Sequence, residues 1–280
     1  MSLAPTGRLH VVATPIGNLE DLSPRALRTL READLIAAED TRHTQALLSA
    51  FGVRGTLVSL HDHNEAEQID GLLAKLRDGA QIALVSDAGT PLVSDPGFRL
   101  VRAAREAGIE VSPVPGACAA IAALSVAGLP SDRFAFEGFL PQKGAARRER
   151  LQSLAAEART LVFYESSHRI DECLVDAAAI FGATRRGVVA RELTKRFETV
   201  LDGPLGALAA RVAADADQRR GEFVVIVEGA TGDDADASLA LGRRVHALLR
   251  EHLPPSQAAR LAAEISGAPR KKLYEERDAE

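Results

Sequence analysis

Tryptophan is absent, tyrosine occurs twice, and aromatic residues make up 4% of the chain. The core must therefore be built from alanine, leucine and valine. Cysteine occurs only at Cys118 and Cys173, far apart and without metal-type spacing, which points away from a disulfide framework or a zinc site. That usage fits a reducing cytosol, so a cytoplasmic protein is expected. No apolar run is long enough to span a bilayer, the N-terminus lacks a signal-peptide core, and no membrane partner is expected. A positive excess is lacking too. With a formal net charge of -5, global attraction to nucleic acid is not expected, and an RNA partner would need local basic patches. The chain has no full G-x-G-x-x-G fingerprint and no glycine run followed by Lys-Ser/Thr, which disfavours a nicotinamide cofactor and an NTPase. No internal repeat is visible.

What is present is organised around Ser86–Gly97, S-D-A-G-T-P-L-V-S-D-P-G. An apolar run at 81–85 precedes it and reads as a buried parallel strand. Pro96-Gly97 closes it, and a helix is expected to begin there with proline in its first turn. Asp87 and Asp95 can accept hydrogen bonds from a hydroxyl, an amine or a cation. Short apolar runs at 9–13, 34–38, 56–60 and 109–113 alternate with helical stretches, which predicts an α/β fold with a parallel sheet covered on both faces. Polar loops at 14–19, 39–44, 61–65 and 86–97 follow strands, so all four should lie on one edge of that sheet, where ligands collect. Val114-Pro115-Gly116 reads as a hinge. Further strands are expected near 133–140, 160–164, 187–190 and 222–227, with helices at 117–127, up to 181 and at 205–214. Residues 230–237 read as a linker before a helical tail. The expected domains are 1–114, 115–229 and a helical extension at 238–280, all within the 280 residues of the chain.

Several side chains carry both a chemical and a plain reading. Glu39-Asp40 suits general base work or capping of the next helix. His61, His63 and Glu65 could ligate a metal, or be loop histidines before a helix capped at Asn64; no metal is assigned. Glu165 with His168, and Glu192 with Lys195, sit where a strand is expected to meet a helix, and each pair taken alone reads as a solvated turn. Basic clusters at 143–150, 185–196 and 270–272 are solvated faces unless a polyanion binds them.

Taken together, T-P-I-G-N-L at 14–19, A-E-D-T-R-H-T at 38–44, the 86–97 stretch, P-V-P-G-A-C-A-A at 113–120, F-x-G-F-L-P at 136–141, E-S-S-H-R at 165–169, R-E-L-T-K at 191–195 and G-E-F-V-V-I-V-E-G at 221–229 resemble a known family. It is the ribosomal small subunit methyltransferase I family, 16S rRNA cytidine 2′-O-methyltransferases within the tetrapyrrole (corrin/porphyrin) methylase superfamily. The resemblance implies two α/β domains of that type with S-adenosylmethionine in the cleft between them, a small helical C-terminal extension, and a homodimer. It implies methylation of a ribose 2′-hydroxyl of a cytidine in the decoding centre, with 16S rRNA or the small ribosomal subunit as partner. By position it assigns cofactor contacts to Pro15 and Gly17, to Asp87, Gly89 and Thr90, to Ala117 and Cys118, and to Glu165, Gly221 and Glu222. A ribose hydroxyl needs its proton removed as it attacks. Asp40 is the first candidate base, with His63 and Glu39 behind it. Arg42, Lys143, Arg191 and Lys195 are the expected partners of RNA phosphates. The competing readings are a methyltransferase of a small tetrapyrrole-like acceptor and a non-catalytic ribosome-binding protein, with a nicotinamide enzyme third.

Overall fold

The computed structural model describes residues 7–61, 64–230, 234–270 and 273. Strands β1 (Arg8–Val12), β2 (Leu35–Ala38), β3 (Leu57–Ser59), β4 (Gln81–Val85) and β5 (Glu110–Val114) form one parallel sheet in the order β3-β2-β4-β1-β5. The central strand β4 is apolar without interruption from Ile82 to Val85, as burial on both faces requires. Its side chains alternate. Ala83 and Val85 face Ala26 and Leu30 of α1 (Pro24–Glu32) and Leu48 of α2 (Thr41–Ala50). Ile82 and Leu84 face Leu72 and Leu76 of α3 (Glu65–Arg77) and Leu100 of α4 (Phe98–Glu106). Ser23 starts α1 by accepting the Ala26 amide at 3.0 Å, with Pro24 in the first turn. The helix expected after Pro96-Gly97 is present as α4, without the proline in its first turn. That helix begins at Phe98 after Gly97, and Pro96 lies outside it. Gly97 has φ +116°, and a β-carbon there would press on the Leu84 side chain.

A second sheet contains β6 (Phe134–Phe139), β7 (Thr160–Ser166), β8 (Arg186–Arg191), β9 (Thr199–Pro204) and β10 (Glu222–Val227), in the order β6-β7-β10-β8-β9. This sheet is mixed: β6 and β7 are parallel, while β10 runs against both β7 and β8, and β9 runs against β8. One face of this sheet packs on α5 (Ala119–Val126), through Ala120, Ala123 and Leu124 against Val162, Val188, Val224 and Ile226. The other is covered by α6 (Gly144–Ser153), α7 (Ile170–Phe181) and α8 (Leu205–Ala214), with Leu151, Leu174 and Leu208 against Phe163, Val189 and Val225. Arg147 of α6 is buried against α7, donating to Asp176 at 2.7 Å and to Glu172 at 2.9 Å. In the tail, α9 (Asp234–Arg250) and α10 (Pro255–Ser266) share a small core of Val245, Leu249, Ala262, Ala268 and Leu273. Among the described residues, no helix is long and apolar enough to cross a membrane.

Candidate active site

The strand order dictates which loops can meet. Because β4 lies between β2 and β1, the loops after these three strands are neighbours at the carboxyl edge of the first sheet. They are joined there by main-chain and carboxylate contacts. The Asp40 amide donates to Asp87 Oδ1 at 3.0 Å, and the Asp87 amide points at Glu39 Oε2 at 3.5 Å. Thr14 and Gly89 exchange both backbone hydrogen bonds, at 2.8 and 3.1 Å. Thr90 Oγ1 donates to the Ala117 carbonyl at 3.0 Å, tying the loop to the chain entering α5. The loop after β3 sits at the sheet's edge, and none of its described residues lines the cavity. There Asn64 accepts the His61 amide, and the buried Glu65 carboxylate accepts the Leu100 amide at 3.0 Å, so Glu65 serves to anchor α4. His63 lies outside the described residues.

The second sheet closes the other side. Since β10 is antiparallel to β7 and β8, its first residues lie beside their last: Glu222 pairs with Ser166, and Phe223 with both Glu165 and Arg191. The result is a cavity of about 460 Å³ between the two sheets. Its walls include Glu39, Asp87, Gly89, Thr90 and Asp95 from the first sheet's loops, Cys118 and Ala119 at the start of α5, and Phe139, Tyr164, Lys195 and Gly221–Phe223 from the second. Tyr164 is fixed by the Ala120 amide, which donates to its hydroxyl at 3.1 Å, and by Phe139, whose ring stands edge-on to it at 5.6 Å. Phe139 nonetheless leaves 57% of its surface exposed.

Nine of the expected residues line this cavity: Glu39, Asp87, Gly89, Thr90, Cys118, Glu165, Lys195, Gly221 and Glu222. Pro15 is buried just before Ile16, which also lines it. Gly17 has φ +148°, and the Lys195 stem lies where a β-carbon would be, so this glycine lets a side chain of the second half cross the loop after β1. Lys195 Nζ then ion-pairs with Glu192 at 3.0 Å and Glu222 at 2.9 Å. Those carboxylates hold its ammonium pKa above the ordinary value, against the desolvation that lowers it. Lys195 is thus an internal clasp between the halves, and its charge is already matched.

Other expectations meet physical obstacles. Asp40 caps α2 by accepting the Arg42 amide at 2.8 Å, and its two oxygens take the Arg42 guanidinium at 3.1 and 2.7 Å. Those bonds hold its carboxyl far below the usual carboxylate range, which makes it a weak proton acceptor. Glu165 is buried and takes Arg169 on both oxygens, at 2.8 and 2.7 Å. Arg191 is not brought to the surface. It is 8% exposed and donates to the carbonyls of Arg220 at 2.6 Å and Phe197 at 3.0 Å. A guanidinium committed to backbone carbonyls inside the fold cannot face phosphates. Arg42 and Lys143 are exposed. Asp95, singled out with Asp87 as a hydrogen-bond acceptor but given no role in the site from the sequence, also lines the cavity. Its place in the cavity depends on the loop's path across to β6. Leu92 and Ser94 hold left-handed backbone conformations, φ +73° and +68°, and Ser94 Oγ packs against Gly138 of β6.

The chain is similar to known proteins over nearly its whole length. Residues 8–209 match the model of the Tetrapyrrole (Corrin/Porphyrin) Methylases, and residues 233–276 match the RsmI C-terminal HTH domain. The chain is 64% identical to Ribosomal RNA small subunit methyltransferase I of Xylella fastidiosa strain Temecula1, over 97% of this chain and 99% of that protein. It is 56% identical to the protein of that name from Escherichia coli O157:H7, over 96% of this chain and 93% of the other. Among solved structures it is similar to the methyltransferase CobJ, with TM-score 0.59 and 21% identity, covering 80% of this chain and 95% of that one. It is also similar to uroporphyrin-III C-methyl transferase from Thermus thermophilus complexed with S-adenyl homocysteine, with TM-score 0.54 and 20% identity, covering 79% and 97%. At those identities the structures establish the fold alone.

Proposed function

The chain belongs to the ribosomal RNA small subunit methyltransferase I family within the tetrapyrrole methylases, and from that premise we propose that it methylates the ribose 2′-hydroxyl of a cytidine in the decoding centre of 16S rRNA, using S-adenosylmethionine. The near-full-length identity with the ribosomal enzymes, C-terminal unit included, carries this reading. It also disfavours a small tetrapyrrole acceptor, which has no use for that unit.

The cavity fits the cofactor. Its volume is within the range of small-molecule sites. Gly89 at φ +85° and Gly221 at φ +97° let the cavity's loops turn in backbone geometry that favours glycine, with Glu192 packed against Gly221. Ile16, Ala119, Ala190, Leu193 and Val224 offer an apolar bed for a flat base, and Asp87 and Glu222 offer acceptors for hydroxyl or ammonium groups. When bound, S-adenosylmethionine supplies an electrophilic methyl on a sulfonium. The chain's task is then to align the ribose hydroxyl and to exclude water. Phe139, half exposed at the cavity wall, is placed to stack on the acceptor nucleobase. Arg42 and Lys143 remain as exposed cations for RNA phosphates, whereas Arg191 is withdrawn from that role. A cytoplasmic homodimer belongs to the same reading; Ile121 and Val126 on α5, each about half exposed, offer it an apolar contact.

The test is methyl transfer from labelled S-adenosylmethionine to small ribosomal subunits lacking this modification. Label in one cytidine, at a linkage resistant to alkaline hydrolysis, is the expected result. Cofactor binding without transfer to any subunit RNA overturns the reading.

A further inference from the structure

The 86–97 loop does more than hold the cofactor: we propose that Asp95 is the catalytic residue that takes the proton of the ribose 2′-hydroxyl. This rests on the ribose-methylation reading above. The carboxylates around the cavity differ in their partners. Asp40 is bound by Arg42, Glu165 by Arg169, and Glu192 and Glu222 by Lys195. Asp87 accepts the Asp40 amide, and Glu39 is approached by the Asp87 amide. Each such partner occupies a carboxylate oxygen that an incoming hydroxyl would otherwise meet. Asp95 lines the cavity with its carboxylate assisted by the Ser86 hydroxyl, and among the described residues no cation is paired with it.

Its position follows from the loop. The backbone on either side of Val93 is bent into left-handed geometry at two non-glycine residues, Leu92 and Ser94, and such strain persists where surrounding structure over-determines it. Ser94 in turn packs on Gly138 of β6, one residue before the exposed Phe139 ring. The loop therefore carries Asp95 to the side of the cavity where an acceptor stacked on Phe139 would present its ribose. The groups facing Asp95 are Ser86 and Asp87 from its own loop, Glu39 from the β2–α2 loop and Tyr164 from β7, with Cys118 of the same cavity beside Tyr164. Lys195, Glu165 and Glu222 line the same cavity, already paired. Burial, with added repulsion from Glu39 and Asp87, pushes the Asp95 carboxyl up to about 6. A base poised there is ionised at neutral pH and still avid for a proton.

In the step, the 2′-oxygen bonds to the methyl carbon as the sulfonium S–C bond breaks, its electron pair remaining on sulfur. The hydroxyl O–H bond breaks and its proton passes to an Asp95 carboxylate oxygen. Neutral Asp95, S-adenosylhomocysteine and the 2′-O-methyl ether are left, and Asp95 returns its proton to water.

The experiment pairs single-turnover methylation of unmodified small subunits with binding and unfolding measurements on wild type and Asp95→Asn. Wild-type transfer to a cytidine must be seen first; its absence sinks the ribose-methylation reading and leaves no acceptor proton for Asp95 to take. Given transfer, the wild-type rate is expected to fall about tenfold between pH 8 and pH 5, the loss of a base titrating near 6. Asp95→Asn is expected to lose about 10²- to 10⁴-fold in rate, to lose the acid limb, and to keep S-adenosylhomocysteine affinity within about twofold. An independent readout is urea unfolding without ligand. A carboxyl raised above its unfolded pKa binds more protons in the folded state, so the stability of wild type relative to Asp95→Asn should fall as pH rises from about 4 to about 6. A wild-type rate flat from pH 5 to 8 overturns the proposal whatever the variant does. So does an Asp95→Asn enzyme of near-normal rate, or one whose cofactor affinity falls as steeply as its rate.

Discussion

Arg191 and Arg42 look alike in sequence, each in a short polar segment near the end of an apolar strand, and the fold gives them opposite surroundings. Arg42 is almost fully exposed, whereas Arg191 donates to two backbone carbonyls inside the second sheet's loops. Replacing Arg191 by alanine leaves those carbonyls without donors, so a stability loss of about 1–3 kcal/mol is expected in chemical denaturation. The salt dependence of subunit binding should not change. Were Arg191 a phosphate ligand, the result would be reversed: intact stability and a shallower salt slope. Which carboxylate could act as a base was also hidden in the sequence. Glu39-Asp40 stands out as a pair, but capping and Arg42 stabilise the Asp40 anion, and only the folded path of the 86–97 loop brings Asp95 to the cavity. The need for glycine at position 17 likewise becomes visible only when Lys195, far along the chain, is seen to cross it.

At the scale of elements, α6 shows how a charge run misleads. The basic stretch at 143–150 reads as a solvated face, yet it forms a helix whose Arg147 is buried against Glu172 and Asp176 of α7. Arg147→Ala should cost about 3–5 kcal/mol, because it empties buried space and takes from Asp176 its partner at 2.7 Å, leaving Arg148 at 3.6 Å. Arg147→Met should cost clearly less, since the methionine stem refills the space. Thermal unfolding of the two variants side by side checks this. The first sheet was legible because each strand is a short apolar run and helices such as α1 begin with a recognisable signal, Ser23-Pro24. The second was legible only in part. Strand β9 ends in Asp-Gly-Pro at the sheet's edge, where half-exposed residues leave no apolar signature. Missing β9 concealed the antiparallel pairing that brings the Gly221–Glu222 turn to the ends of β7 and β8.

For the molecule as a whole, an acidic chain has to engage a polyanion through few cations. Arg147 and Arg191 are buried and Lys195 is paired, so exposed cations such as Arg244 and Arg250 of α9 gain weight. An Arg244→Glu, Arg250→Glu variant is expected to bind small subunits more weakly, with the slope of log K against log salt shallower by about one for each phosphate no longer neutralised. Its affinity for S-adenosylhomocysteine should be unchanged, because the cavity lies between the two sheets and contains no residue of α9. Filter binding across a salt series measures the slope. The scarcity of cysteine has a practical consequence. Cys173 is sealed in the core, with its thiol pushed up to about 12 by burial, while Cys118 is half-buried in the cavity wall. The unaltered protein therefore contains its own occupancy reporter. Under native conditions a maleimide should label one thiol, S-adenosylhomocysteine should slow that labelling, and urea should release the second. Labelling that ignores the ligand would mean that the cofactor does not lie over the start of α5.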